Sequence, residues 1–138
     1  MSMEENKAVV RRYFEEFHTQ RRHDIIEEII APPLVEPTRG ASRAVATAFP
    51  DYQITIAEQV AERDLVATVW SARGTHRGEW ASPAGSFAPT GKPVSWTGTT
   101  TLRVSRGKIT EVIGSNWDHL GILQQLGALP SPARRSGA

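Results

Sequence analysis

Four residues of this sequence carry side chains suited to moving a proton or holding a reacting oxygen, namely Glu36, His76, Asn116 and Asp118. A carboxylate becomes a general base when a dry environment raises its pKa, so Glu36 is the first candidate for proton abstraction. His76 and Asp118 are further candidates for proton transfer. The amide of Asn116 could orient a carbonyl group or stabilise an enolate, if its face of the strand points inward.

Each of these four residues also has a structural interpretation, and the sequence leaves the choice open. Glu36 could be an exposed loop residue, and Asn116 could lie in the turn that ends a strand. Asp118 precedes a helical pattern, where an N-cap contributes about 1 kcal/mol, and this role is favoured over catalysis. A hydrogen-bonded histidine at a strand end is likewise the favoured interpretation of His76.

Aromatic side chains are concentrated where a flat ligand could contact them. Tryptophans fall near the middle or end of the predicted strands, and the first predicted helix is unusually aromatic. Such residues either fill a core or stack on a ligand, and we expect at least one tryptophan to touch the ligand. The residues predicted to contact substrate are Tyr13, Phe14, Phe17, Trp70, Trp96, Thr100, Trp117 and His119.

Several classes of function are excluded by composition. The sequence has no cysteine, and its four histidines lack the spacing of metal ligands, so neither a disulfide nor a metal site is expected. No phosphate-binding loop, serine-nucleophile motif or dinucleotide fingerprint is present, so no cofactor is predicted. The net charge of +1 gives no reason to expect nucleic-acid binding.

The same composition predicts a cytoplasmic protein. No apolar run approaches the roughly 20 residues that span a bilayer, so no membrane contact is expected. The polar, acidic start at residues 1–5 differs from a secretory signal.

Helical patterns occupy the first third of the chain. The spacing of apolar residues from Val9 to Phe17 predicts a first helix. A second helix is predicted to begin at Asp24, which can cap it, and to end at Pro32–Pro33. A third, weaker helix is predicted from Ser42 to Phe49.

Strand patterns follow. The predicted strands are Gln53–Val60, Leu65–His76, Val94–Val104 and Lys108–Trp117, with residues 81–93 as a long hairpin connection. A short helix capped by Asp118 completes the pattern. The order predicts one α+β domain at residues 1–130 and a flexible tail at 131–138, with three helices packed on a strongly curved antiparallel or mixed sheet.

Three stretches of sequence resemble those of one family. They are NKAVVRRYF at residues 6–14, AFPDY at 48–52 followed by GTHRG and PTGK, and GKITE at 107–111 running into WDHLGILQQLG at 117–127. Their order and spacing are similar to those of the SnoaL-like polyketide cyclases of the NTF2-like superfamily. The resemblance covers about residues 6–129 and implies a cone-shaped fold around an apolar cavity.

The resemblance also implies a catalytic set that this sequence does not keep. The cyclases use an aspartate near the end of the last strand as general acid and base, and that position falls on Gly114 or Asn116. Their histidine and asparagine, which help to place the substrate, fall on Thr100 and Glu36. We therefore expect a cyclase-like pocket with an altered catalytic lining.

The expected function is a cofactor-independent enzyme of polyketide or secondary metabolism. It would act on a hydrophobic polycyclic substrate by enolate chemistry, as a cyclase, isomerase or related hydroxylase. The alternative is a non-catalytic small-molecule-binding protein or a partner subunit of a redox enzyme such as a reductase. NTF2-like folds also lead us to expect a homodimer or homotetramer.

Overall fold

The computed structural model of the protein describes residues 2–129, and it confirms the α+β class and the NTF2-like cone. The predicted tail at residues 131–138 lies outside the described residues. The helices are α1 (Met3–Arg12), a π-helical segment (Tyr13–Thr19), a 3₁₀ turn (His23–Ile25), α2 (Ile26–Ile29), α3 (Pro32–Ala48) and α4 (His119–Gln125). The strands are β1 (Gln53–Glu62), β2 (Leu65–Thr75), β3 (Trp80–Ser82), β4 (Gly85–Phe87), β5 (Pro93–Ser105) and β6 (Lys108–Trp117).

The first helix begins with a capping box and widens at its end. The Ser2 hydroxyl accepts from the Glu5 backbone N–H at 3.1 Å, and the Glu5 carboxylate accepts from the Ser2 N–H at 3.2 Å. From Tyr13 the chain winds as a π-helix, in which hydrogen bonds join residues five apart, such as Gln20 N–H to the Glu15 carbonyl at 3.0 Å. The wider turn changes which side chains share a face.

The predicted boundaries of the second and third helices are wrong. Pro32 and Pro33 begin α3 instead of ending α2, because a proline in the first turn lacks only an N–H that has no helical partner there. The third helix is therefore seventeen residues long and contains Glu36, which the sequence placed in a loop. Asp24 caps no helix; it lies within the 3₁₀ turn, and its carboxylate pairs with Arg22 at 3.4 Å.

The main sheet is antiparallel throughout, with strand order β1-β2-β5-β6. Register shifts interrupt β1 between Ile56 and Glu58 and interrupt the β5–β6 pairing twice, and such bulges bend and twist a sheet. The predicted hairpin connection at residues 81–93 contains most of a separate two-stranded sheet, formed by β3 and β4.

One hydrophobic core lies between the concave face of the sheet and the helices. Phe14, Phe49, Trp70, Trp96 and Leu102 are among its buried members. The convex face of the sheet is polar along β5, where Thr99 and Thr101 point away from the core. Among residues 2–129, no helix combines the length and the apolar character needed to cross a bilayer.

The indole ring of Trp70 lies directly over Gly98 on the neighbouring strand. A Cβ atom at Gly98 would come within 2.2 Å of the Trp70 ring and 2.7 Å of the Asn116 carbonyl oxygen. Trp117 packs edge-on against the same indole, with ring centroids 5.7 Å apart. Because glycine has no side chain, the Trp70 indole can occupy this space, and the position of Trp117 follows from its contact with that indole.

We expect Gly98→Ala to destabilise the protein by about 1–3 kcal/mol, because the new methyl group must displace the Trp70 indole. The matched control is Gly40→Ala, since Gly40 lies within α3 and a Cβ there meets no atom within 4 Å. This control should stabilise the protein by up to about 1 kcal/mol. Urea unfolding measures both, and equal midpoints for Gly98→Ala and the wild type would contradict the steric argument.

Candidate active site

A cavity of about 140 Å³, here called the inner chamber, lies between the π-helical segment, α3 and the concave face of the sheet. Its lining is mostly apolar and aromatic. The lining residues are Tyr13, Phe14, His18, Ala41, Val45, Tyr52, Ile54, Trp70, Trp96, Thr100, Ser115 and Trp117. A second space of about 270 Å³, the outer groove, shares Ala41, Val45, Ser115 and Trp117 with the chamber and adds Ala44, Phe49, Trp80, Ala81 and His119. The shared residues make the outer groove the natural approach to the chamber.

The tryptophans of the chamber form a continuous aromatic wall. Trp117 stacks on Trp96 with ring centroids 5.6 Å apart, and Trp96 contacts Phe49 at 4.8 Å. His119 stacks on both Trp117 and Trp80, at 5.8 and 6.2 Å. This arrangement presents flat apolar surfaces from the chamber out to the groove, as a planar organic ligand requires.

A histidine–tyrosine pair provides the chamber with an acid–base group. His18 Nδ1 lies 2.8 Å from the Tyr52 hydroxyl, and both residues are buried. Burial, together with the positive charges of Arg21 and His23, lowers the pKa of His18 to about 3, so the imidazole is neutral at pH 7. With its proton on Nε2, the imidazole accepts the Tyr52 O–H at Nδ1. Burial raises the pKa of Tyr52 as well.

Arg21 holds this pair in place from outside the chamber. Its guanidinium lies 3.9 Å above the centre of the Tyr52 ring and donates to the Tyr52 and Pro50 carbonyls at 2.7 and 3.1 Å. It also donates to the carbonyl of His18. The backbone of Arg21 is in the left-handed region, with a φ of 59°. The contacts of its side chain with the carbonyl groups and with the Tyr52 ring stabilise this conformation. The arginine charge also opposes the effect of burial on the pKa of Tyr52.

A second polar group faces the chamber from the sheet. The Trp70 indole N–H donates to the Thr100 hydroxyl at 3.0 Å, and this hydroxyl lies 3.1 Å from the hydroxyl of Ser115. The indole N–H of Trp96 is buried and has no acceptor among the described residues. A buried donor without a partner costs about 1–3 kcal/mol, so Trp96 is a donor that a ligand could satisfy.

Most residues predicted to contact substrate do line these spaces. Tyr13, Phe14, Trp70, Trp96, Thr100 and Trp117 line the chamber, and His119 lines the groove. Phe17 was also predicted to contact substrate, but it lines neither space. In the π-helical turn its ring lies outside the chamber, in a crevice beside His23 and Arg39.

Glu36 and Asn116, two of the four catalytic candidates, lie away from the chamber. Glu36 is on the solvent side of α3, where its side chain is 78% exposed and pairs with Arg39 at 3.4 Å. Asn116 is exposed and sits opposite Thr99 on the convex face of the sheet, so the prediction that it points inward is wrong. The reason is a bulge at Ile113, an extra residue in β6. Beyond this bulge, each side chain points to the face opposite to the one that simple alternation from Val112 predicts.

His76 and Asp118 have structural roles. His76 is buried, and its Nδ1 accepts from the Thr90 N–H at 3.2 Å and lies 3.0 Å from the Thr90 hydroxyl, which ties the end of β2 to the following loop. The Asp118 carboxylate accepts from the Gly121 N–H at 3.0 Å and caps α4, the alternative that the sequence favoured. Neither side chain lines the inner chamber.

Sequence reasoning missed His18, Tyr52 and Ser115. His18 follows Phe14 by four residues, a helical spacing that could have placed it beside the aromatic stripe. Ser115 lies opposite Thr100 and would have followed from the correct face alternation of β6. Tyr52 ends the AFPDY motif, but the motif does not indicate its contact with His18, which spans 34 residues. Within residues 2–129, no group of three histidine, aspartate or glutamate residues could hold a metal ion.

Comparison with known families agrees with this geometry. The family model described as SnoaL-like polyketide cyclase matches residues 8–126, which is most of the chain. The chain belongs to the SnoaL-like polyketide cyclase family. A search of the curated proteins found no match.

Solved structures show the same fold. AclR from Streptomyces galilaeus is 26% identical, with a TM-score of 0.81 over 96% of this chain and 87% of AclR. IdmH from Streptomyces antibioticus is 27% identical, with a TM-score of 0.75 over 88% of this chain and 98% of IdmH. A SnoaL-like protein from Jannaschia sp. CCS1, at 19% identity and a TM-score of 0.81 over 93% and 95% of the two chains, supports the fold alone.

The buried imidazole predicts a pH dependence of stability. Between the ordinary pKa of 6.5 and the folded-state pKa of about 3, the unfolded chain binds a proton at His18 that the folded protein does not. The free energy of unfolding should therefore fall as the pH decreases through this window, by up to about 1.4 kcal/mol per pH unit. His18→Gln, which keeps an acceptor for Tyr52, should reduce that slope.

Urea unfolding between pH 4 and 7 measures the slope. The matched control is His119→Gln, because His119 lies at the start of α4 and does not line the inner chamber. An unchanged slope in His18→Gln would contradict the assignment of the titration to His18.

Proposed function

We propose that this SnoaL-like protein is a cofactor-independent enzyme of secondary metabolism that performs enolate chemistry on a hydrophobic substrate, as a cyclase or isomerase does. The observation that carries the proposal is the buried contact of 2.8 Å between His18 Nδ1 and the Tyr52 hydroxyl in the wall of the chamber. Within residues 2–129, no aspartate or glutamate lines that chamber. The His18–Tyr52 pair thus takes the role that a carboxylate has in other cyclases.

The pair can move a proton without leaving an isolated charge. The Tyr52 oxygen accepts a proton from an activated carbon next to a substrate carbonyl while its own proton passes to His18 Nδ1. The products are an enolate and an imidazolium in one dry chamber, where each charge stabilises the other. Donors on the opposite wall, Trp96 and the Thr100–Ser115 hydroxyls, can stabilise the enolate oxygen.

Return of the proton completes the reaction. In a cyclisation the enolate carbon attacks a second carbonyl of the same molecule, and a new C–C bond forms as that carbonyl becomes an alkoxide. His18 then returns its proton through Tyr52 to the alkoxide. The low pKa of His18 favours this step, because the imidazolium is unstable in the buried site once the enolate charge is gone.

Two further functions use the same chamber. AclR is provisionally named a hydroxylase, and its similarity keeps a hydroxylation-type reaction as a second candidate. Binding without catalysis, including a role as partner of a redox enzyme, is supported by the loss of the family's carboxylate from the chamber. Proton exchange at the substrate carbon distinguishes enolate chemistry from binding alone.

The test is the exchange of the activated methylene protons of ethyl benzoylacetate in D₂O, followed by ¹H NMR. The wild-type protein should accelerate exchange over buffer. Tyr52→Phe, which removes the proton-transferring oxygen and keeps the ring, should reduce the acceleration by about a hundredfold or more. The control Glu36→Gln should exchange at the wild-type rate, because Glu36 is on the solvent side of α3.

Three results would contradict the proposal. Exchange in Tyr52→Phe at the wild-type rate would remove the histidine–tyrosine pair from the mechanism. Loss of exchange in Glu36→Gln would restore the carboxylate that the sequence suggested. Binding of the ester without any accelerated exchange would favour the non-catalytic alternative.

A further inference from the structure

Trp96 differs from Trp70 in the state of its indole N–H, although both line the inner chamber. The Trp70 N–H is already bound to the Thr100 hydroxyl at 3.0 Å. The Trp96 N–H has no acceptor among residues 2–129, although the residue is only 3% exposed. Because buried donors are almost always paired, an occupant of the chamber is the group best placed to provide the missing acceptor.

The size of the chamber limits what that occupant can be. Its volume is about 140 Å³, close to the cavity of about 150 Å³ that holds a single benzene molecule in an engineered protein. The walls resist expansion, because Trp70 rests on Gly98 and Trp96 is packed between Phe49 and Trp117. A second ring has room only in the outer groove of about 270 Å³.

The polarity of the chamber limits the occupant further. Of residues 2–129, none that lines the chamber carries a charge at pH 7, since His18, its one ionisable imidazole, is neutral there. A carboxylate or ammonium group would therefore enter without a counter-charge, and such a desolvation is costly. A neutral carbonyl oxygen is an acceptor that the Trp96 N–H can bind without this cost.

We propose that the inner chamber selects a single uncharged ring bearing a carbonyl group, whose oxygen accepts the indole N–H of Trp96. The rest of a larger substrate extends past Trp117 into the outer groove. This proposal rests on the proposed function, because the carbonyl group that binds Trp96 is the one from which Tyr52 would generate the enolate. It narrows the polycyclic substrate expected from the sequence to a molecule that inserts only one terminal ring.

A pair of near-isosteric probes tests the acceptor directly. Acetophenone and ethylbenzene share a ring and a two-carbon side chain, but only acetophenone has a carbonyl oxygen. Calorimetry or ligand-observed NMR on the full chain should show acetophenone binding about three- to tenfold more tightly. Trp96→Phe keeps a ring and removes the N–H, so it should abolish the preference. Trp80→Phe, the matched control, changes a tryptophan that does not line the inner chamber and should retain the preference.

A second measurement does not depend on the folding of the variants. In wild-type protein labelled with ¹⁵N, the Nε1–H resonance of Trp96 should move downfield with acetophenone and much less with ethylbenzene. A three-ring ketone, 9-acetylanthracene, tests the size limit, and we expect it to compete poorly for the chamber.

The proposal is overturned if the wild-type protein shows no preference for acetophenone, if Trp96→Phe keeps the preference, or if the Trp96 resonance is insensitive to the carbonyl. Binding of 9-acetylanthracene as tight as that of acetophenone would overturn the one-ring limit. These readouts measure binding and can be repeated in Tyr52→Phe. A preference for acetophenone in wild-type protein that does not accelerate proton exchange would contradict the proposed function and leave the Trp96 contact supported.

Discussion

The inner chamber depends on the π-helical turn at Tyr13–Thr19 and on the arginine that closes it. The wider turn brings Tyr13, Phe14 and His18 to the chamber. Arg21 then donates to carbonyl groups of both the turn and the segment around Tyr52, while it stacks on the Tyr52 ring. The Thr19 hydroxyl adds a second tie, because it bonds both the N–H and the carbonyl of Ile54 at 3.0 and 3.1 Å, and the two ties keep the imidazole and the phenol within hydrogen-bond distance.

The proposed role of the His18–Tyr52 pair accounts for a chamber that no carboxylate of residues 2–129 lines. A buried carboxylate acts as a base because desolvation raises its pKa, and it carries its charge before the reaction begins. In the mechanism that we propose, the His18–Tyr52 pair begins neutral and becomes charged only together with the substrate. The chamber can therefore stay dry and apolar, with donors such as Thr100 arranged on the opposite wall.

The rigidity of the chamber follows from close contacts between rings and backbone. Trp70 occupies the space that a side chain at Gly98 would need, and the stack of Trp96, Trp117 and His119 continues to the outer groove. A stack of this kind offers a flat ligand many weak contacts at little cost in side-chain entropy, because the rings are already held. Specificity then comes from the few polar groups whose positions the stack determines.

The class of the fold, the family and most of the aromatic lining could be predicted from the amino-acid sequence. These features depend on periodicity and on local motifs, which can be identified in the sequence without knowledge of the tertiary structure. Predictions from local patterns were wrong where one or two residues changed the course of the backbone. The proline pair at 32–33 begins a helix that it was expected to end, and this moved Glu36 from a loop at the cavity mouth to the solvent side of α3.

The polar groups that face the chamber could not be predicted in this way. The extra residue Ile113 turns Ser115 inward and Asn116 outward, and a bulge of this kind leaves no mark in the residue types around it. His18 and Tyr52 are 34 residues apart and meet because a π-helical turn and the first strand converge on Arg21. Long-range contacts of this kind are set by packing, so the chemistry of this protein was decided by the fold, while the shape of its pocket could be predicted from the sequence.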